Sequence, residues 1–80
     1  MITVHAKIFA TLRRYHTHLG IGEAMPVDLP EGATVGQLIE QLRLPADEVK
    51  VVFVNSIVRE ENHPLADGDR VGIFPPVGGG

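Results

Sequence analysis

The chain closes on Phe74-Pro75-Pro76-Val77-Gly78-Gly79-Gly80, and the α-carboxylate of Gly80 is expected to be its reacting group. Glycine lacks a Cβ, so Gly78, Gly79 and Gly80 can thread a channel too narrow for any other residue. Pro75 and Pro76 act in the opposite sense, because each ring fixes φ and pushes the preceding residue toward extended or polyproline geometry. The expectation is an extended tail, residues 75–80, held off a body of residues 1–74 and flexible at its tip. Two plain alternatives are a disordered terminus and an expression scar. The tail, however, follows directly on the strand-like Arg70-Val71-Gly72-Ile73-Phe74, with none of the serine, tag or protease-site residues that scars carry.

Other residues offer weaker chemistry. His16-x-His18 is half a metal site, but no acidic or third histidine ligand sits at helpful spacing, so a solvated loop is the simpler reading. Asp67-Gly68-Asp69 resembles the start of a calcium loop without the later glutamate, and turn chemistry accounts for it. His5 reads as a sheet-surface residue and His63 as part of a loop. No metal site is expected. The absence of cysteine removes thiolate nucleophiles, thiolate metal sites and disulfides, and suits a reducing compartment.

Eighty residues make one small domain, burying roughly 60–65% of its unfolded surface, with room for a core but not for a deep pocket and a catalytic constellation. An autonomous enzyme is therefore disfavoured. Seven basic against ten acidic residues give a net charge of −3, which argues against phosphate-backbone binding as the main task. Only Arg13-Arg14 forms a local basic spot. The first residues lack the apolar core of a signal peptide, and no apolar run approaches the roughly 18 residues of a membrane span. A soluble, cytoplasmic protein with no nucleic-acid or membrane partner is expected.

The elements that must position the tail follow from periodicity. Ile2, Val4, Ala6 and Ile8 alternate with Thr3, His5 and Lys7, the pattern of a strand with one buried face running to Phe9. Ala10 to Glu23 reads mostly as loop, with a possible helical turn around Leu12–Tyr15. Met25, Val27 and Leu29 alternate again before Pro30-Glu31-Gly32, so the first two strands form a hairpin with a wide loop. Thr34 and Gln37 fit a capping box, and Val35, Leu38, Ile39 and Leu42 make one apolar helical stripe that ends at Leu44-Pro45. Val49 to Val54 is a β-branched strand, Asn55-Ser56 a tight turn and Ile57-Val58 a short strand. Arg70 to Phe74 is the last strand, after an Asp67-Gly68-Asp69 turn. The order β-β-α-β-β-β predicts an α+β ubiquitin-like β-grasp, a mixed sheet with one main helix packed across one face.

In that fold the first and last strands lie side by side. Phe9 and Phe74 then share the face opposite the core, a candidate apolar patch that docks a partner beside the tail, with Pro75, Pro76 and Val77 continuing it. The competing reading has a strand twist or bulge turn one ring into the core.

The run His63-Pro64-Leu65-Ala66-Asp67-Gly68-Asp69-Arg70-Val71-Gly72-Ile73-Phe74-Pro75-Pro76-Val77-Gly78-Gly79-Gly80 resembles the H-P-L-x-D-G-D-x-V-x-x-F-P-P-V-x-G-G ending of the small subunit of molybdopterin synthase. The whole chain is similar to the MoaD/ThiS sulfur carriers. In that register Gly79-Gly80 are the terminal pair and Gly78 fills the variable position before them. The resemblance implies a carrier and not an enzyme in its own right. A ubiquitin-activating-like adenylyltransferase of the MoeB/ThiF type would adenylate the Gly80 carboxylate with ATP, and a persulfide would convert it to a thiocarboxylate. Two such carriers would then deliver sulfur to a pterin precursor in a MoaE-like large subunit. No resident cofactor is implied. The short segment Arg43–Glu48 is trimmed toward the thiamine-type carriers, whereas the Phe-Pro-Pro-Val ending is closer to the molybdopterin type. A tungsten-pterin pathway, a thiamine-type carrier and a ubiquitin-like modifier forming isopeptide bonds stay open.

Overall fold

The computed structural model describes residues 1–20 and 22–76. Five strands are present, β1 (Ile2–Ile8), β2 (Met25–Leu29), β3 (Val51–Val54), β4 (Ile57–Arg59) and β5 (Arg70–Phe74), with one α-helix, α1 (Val35–Gln41). They form a single sheet in the order β2-β1-β5-β3-β4. β1 and β5 run parallel at its centre, and the other neighbours are antiparallel. This is the β-grasp that the element order predicts.

One face of the sheet carries the core. Ile2, Val4, Ala6 and Ile8 of β1, Val27 and Leu29 of β2, Val52 and Val54 of β3, and Val71 and Ile73 of β5 are all buried, together with Val35, Leu38 and Ile39 of α1. The period of two in the strands and the i, i+3, i+4 spacing in the helix converge on one apolar layer. No polar or charged residue is buried among the described residues. None of the helices there is long and apolar enough to cross a membrane.

Two details differ from the sequence reading. Residues Ala10–Tyr15 form a 3-10 helix, longer than the helical turn around Leu12–Tyr15 that the sequence suggests within a mostly looped stretch, and it is anchored by the fully buried Leu12. Its three-residue period leaves no 3.6-residue apolar repeat to detect. β3 begins at Val51 and not at Val49, because Ala46–Glu48 is a second 3-10 turn that takes the Val49 N–H onto the Ala46 carbonyl. The two turns are joined at the surface: Arg14 and the Tyr15 hydroxyl both donate to the Glu48 carboxylate. The Tyr15 hydroxyl, and next the Glu48 charge, raise the Arg14 pKa above its ordinary value.

Helix α1 is only seven residues long, so its ends matter. Thr34 and Gln37 form a reciprocal capping box. The Val35 and Gly36 N–H groups donate to the His63 and Glu61 carbonyls, so the loop before β5 satisfies donors that an isolated helix would leave open. At the other end Arg43 N–H meets the Glu40 carbonyl and Leu44 N–H the Ile39 carbonyl. That is a Schellman closure with Arg43 at φ 58°, a position where glycine is preferred. The left-handed conformation costs a β-carbon residue about 1–2 kcal/mol, partly offset by the greater unfolded-state freedom of glycine. Arg43→Gly is therefore expected to stabilise the domain by about 0.5–1 kcal/mol, measured by urea denaturation; a loss of stability would show that the arginine side chain contributes more than its backbone costs.

Candidate functional site

The parallel register pairs His5 with Arg70, Ala6 with Val71, Lys7 with Gly72 and Ile8 with Ile73. Ala6, Ile8, Val71 and Ile73 face the helix, so His5, Lys7, Arg70 and Gly72 belong to the opposite, open face. One residue further, the Phe9 N–H donates to the Ile73 carbonyl at 3.1 Å and brings Phe9 beside Phe74. Their rings stack with centroids 4.2 Å apart and planes 2° from parallel. Phe53 completes the cluster, edge-on to Phe74 at 5.5 Å.

Gly72 sits beneath these rings. A Cβ placed on it would lie 3.4 Å from both the Phe74 and the Phe9 ring, so the stack closes over a position with no side chain to hold it apart. β3 sets Phe53 opposite Gly72, and the Asn55-Ser56 turn sets Val58 opposite Phe53. Both turn residues have positive φ, as a two-residue type I′ hairpin requires. Val58 is 58% exposed. The apolar surface thus runs from β1 across β5 and β3 to β4.

The root of the tail is held beside this surface. Lys50 N–H donates to the Phe74 carbonyl at 2.9 Å, Pro75 is half-buried and Pro76 exposed. Parallel strands end at the same edge, so the chain leaves β5 where β1 ends. Phe9, Phe74, Pro75 and Pro76 are therefore gathered at one place. Val77, Gly78, Gly79 and Gly80 lie outside the described residues. Neither Phe9 nor Phe74 belongs to the buried core, which sets aside the reading that turns one of them inward.

Sequence reasoning missed Phe53, Val58 and Gly72. The signal for Phe53 was its parity within Val51–Val54, between the two core residues Val52 and Val54. For Val58 it was the two-residue turn, which fixes register with Phe53. A glycine inside the last strand marks a place of close approach. The histidines have plainer roles: His16 Nε2 lies 2.7 Å from the Leu42 carbonyl, and its ring meets His18 edge-on at 5.9 Å. Among the described residues no group of three His, Cys, Asp or Glu could hold a metal ion. The arrangement presents an aromatic platform next to the exposed Pro76, and such a platform can hold a partner noncovalently.

Comparison with known proteins places this geometry. The ThiS family model matches residues 6–80. Among solved structures, the chain is similar to a protein described as putative molybdopterin converting factor, subunit 1, from Pyrococcus furiosus, with 29% identity, a TM-score of 0.77 and coverage of 96% of this chain and 100% of that one. It is similar to SAMP1 from Haloferax volcanii at 25% identity and TM-score 0.72, over 98% of this chain and 99% of that one. At 20% identity and TM-score 0.63 it shares the fold of a chain in the complex of subunits 1 and 2 of molybdopterin-converting factor from Helicobacter pylori, covering 99% of this chain and 100% of that one. No curated protein matches in sequence.

Because Phe74 stacks on Phe9 and meets Phe53 edge-on outside the buried core, its truncation removes aromatic contacts without opening a core cavity. Phe74→Ala is expected to cost about 1–2 kcal/mol of folding free energy, below the roughly 3–5 kcal/mol of a core phenylalanine. Denaturant melts of the isolated domain check this, and a loss in the core range would place the ring in the wrong layer.

Proposed function

Since the chain belongs to the ThiS family, we propose that it is a sulfur carrier whose Gly80 carboxylate is adenylated and then converted to a thiocarboxylate, for molybdopterin assembly. The observation that carries this reading is the stacked Phe9–Phe74 pair at the root of the tail. A partner that grips this pair holds the start of a six-residue segment, residues 75–80, and so limits where its carboxylate can go. The family match extends through those same residues to position 80.

The chemistry needs help from outside the chain. A carboxylate is a poor electrophile. Attack of its oxygen on the α-phosphorus of ATP expels pyrophosphate and leaves an acyl-adenylate, whose AMP a persulfide on the sulfur-supplying enzyme displaces to give an acyl disulfide. A second thiol of that enzyme then attacks the enzyme's own sulfur of the S–S bond, is oxidised to a disulfide with it, and releases the thiocarboxylate. This chain supplies the carboxylate and the docking face; a ubiquitin-activating-like enzyme supplies ATP and sulfur. The resulting thiocarboxylate is ionised and polarizable at neutral pH, as a low-pKa thiolate is, and ready to attack a pterin precursor. The description of the Pyrococcus furiosus relative as subunit 1 supports a large-subunit partner for this last step.

A second reading rests on the likeness to SAMP1, in which the same activated carboxyl is passed to a lysine amine. Both fates begin with adenylation. Intact mass of the protein from its own cells separates them: replacement of one oxygen by sulfur marks the carrier, and Gly-Gly remnants on lysines of other proteins mark the modifier.

Removing Gly80, or extending it by a C-terminal tag, is expected to abolish sulfur transfer with an unchanged melting curve. Transfer from the blocked protein would overturn the assignment. Gly79→Ala is expected to depress ATP–pyrophosphate exchange far more than stability, because a methyl group must enter the same narrow channel. Equal exchange by both proteins would refute it.

A further inference from the structure

The open face has a second feature that the docking of phenylalanines does not use. His5 and Arg70 are directly opposite in the parallel register, and Lys7 is the next residue of β1 on the same face. All three are exposed, and all three line the shallow concavity beside Phe9, Phe53 and Phe74. Basic side chains set side by side across strands repel when charged. Among the described residues no carboxylate pairs with them. No aspartate or glutamate lines the concavity, and among the described residues the one ion pair is Arg14 with Glu48.

This is no shortage of carboxylates, since the chain has ten acidic residues against seven basic ones. The carboxylates on the adjoining elements are engaged by neutral donors instead. Asp28 accepts from the Thr3 hydroxyl, Asp67 from the Thr3 N–H, and Asp69 from the Asn55 amide and the Ala66 N–H. In a chain of net charge −3, Lys7 and Arg70 have no ion-pair partner among the described residues, while nearby carboxylates serve a strand pair and a turn.

We propose that Lys7 and Arg70, with His5 between them as a further donor, form a basic rim that pairs with carboxylates on the enzyme that activates the tail. The inference rests on the carrier reading and names what that partner's docking surface must carry: an apolar centre for the phenylalanine cluster, flanked by at least two acidic side chains. Charges at the rim of an apolar contact steer encounter and set orientation. They suit a small carrier that must dock, react and leave, because a solvated rim pair speeds association without holding the product complex.

The test uses full-length protein and the adenylating enzyme from the same cells, with ATP–pyrophosphate exchange as the readout, over a range of salt. The double variant Lys7→Glu/Arg70→Glu is expected to raise the KM for the carrier about tenfold at low ionic strength with kcat unchanged. The gap should narrow toward about twofold as salt shortens the screening length. Lys7→Gln/Arg70→Gln should fall between the two, and melts of all three proteins should coincide. If wild-type exchange proceeds and the double variant stays within twofold at every salt concentration, the rim inference is overturned and the carrier reading stands. Absence of wild-type exchange removes both. An unchanged KM together with single-stranded nucleic acid binding that the double variant loses would overturn the protein partner in favour of a polyanion.

Discussion

The parallel contact between β1 and β5 is the constraint from which the rest of the molecule follows. Parallel strands cannot be joined by a tight turn, so a long crossover has to run from one to the other. Here that crossover holds β2, α1, β3 and β4. Val4, Ala6 and Ile73 are fully or almost fully buried under α1, which gives the central pair its stability. The same pairing brings the end of β1 to the end of β5. Phe9 and Phe74 meet for that reason, although they are far apart in the chain, and the tail begins at their contact.

With an entirely apolar core, the polar fastenings lie at the rim. The Asp67-Gly68-Asp69 turn is the chief of them. Gly68, at φ +85°, sends its N–H to the Thr3 carbonyl, while the Asp69 carbonyl accepts from His5 N–H. Asn55 both donates to Asp69 and accepts from Arg70 N–H. One turn therefore registers the start of β5 against β1 on one side and against the β3–β4 hairpin on the other. The two aspartates that suggested a calcium loop do structural work as acceptors for backbone and amide N–H groups, and this leaves little of their capacity for an ion.

The sequence made the layer structure legible because β1 and β2 keep a period of two and α1 keeps its stripe. It hid what depends on pairing. Val51–Val54 is apolar at every position, so that Val52 and Val54 face inward and Phe53 lies opposite Gly72 follows only from the β3–β5 register, which no local pattern encodes. The burial of Leu12 was hidden for another reason: the helical turn around it could be suspected, but a 3-10 helix with one buried residue has no repeat that marks an inward face. The tail was the opposite case. Its composition pointed to chemistry before any fold was known, and Phe9 joined the candidate site through parity and an assumed neighbour relation between the first and last strands.

An exposed aromatic face on a sheet with two free edges is ordinarily an aggregation hazard. Here the hazard is reduced without losing the face. Phe9 and Phe74 shelter each other by stacking, and Phe53 closes one side of the pair. Edge strand β2 carries Pro26, which cannot donate to another strand, and the exposed Asp28. Edge strand β4 is three residues long and ends in exposed Arg59. Lys7 and Arg70 then set like-charged side chains around the apolar centre, so two copies of this face repel each other. What discourages self-association leaves the surface open to a partner of opposite charge, and the tail emerges at the edge of the patch where such a partner would bind.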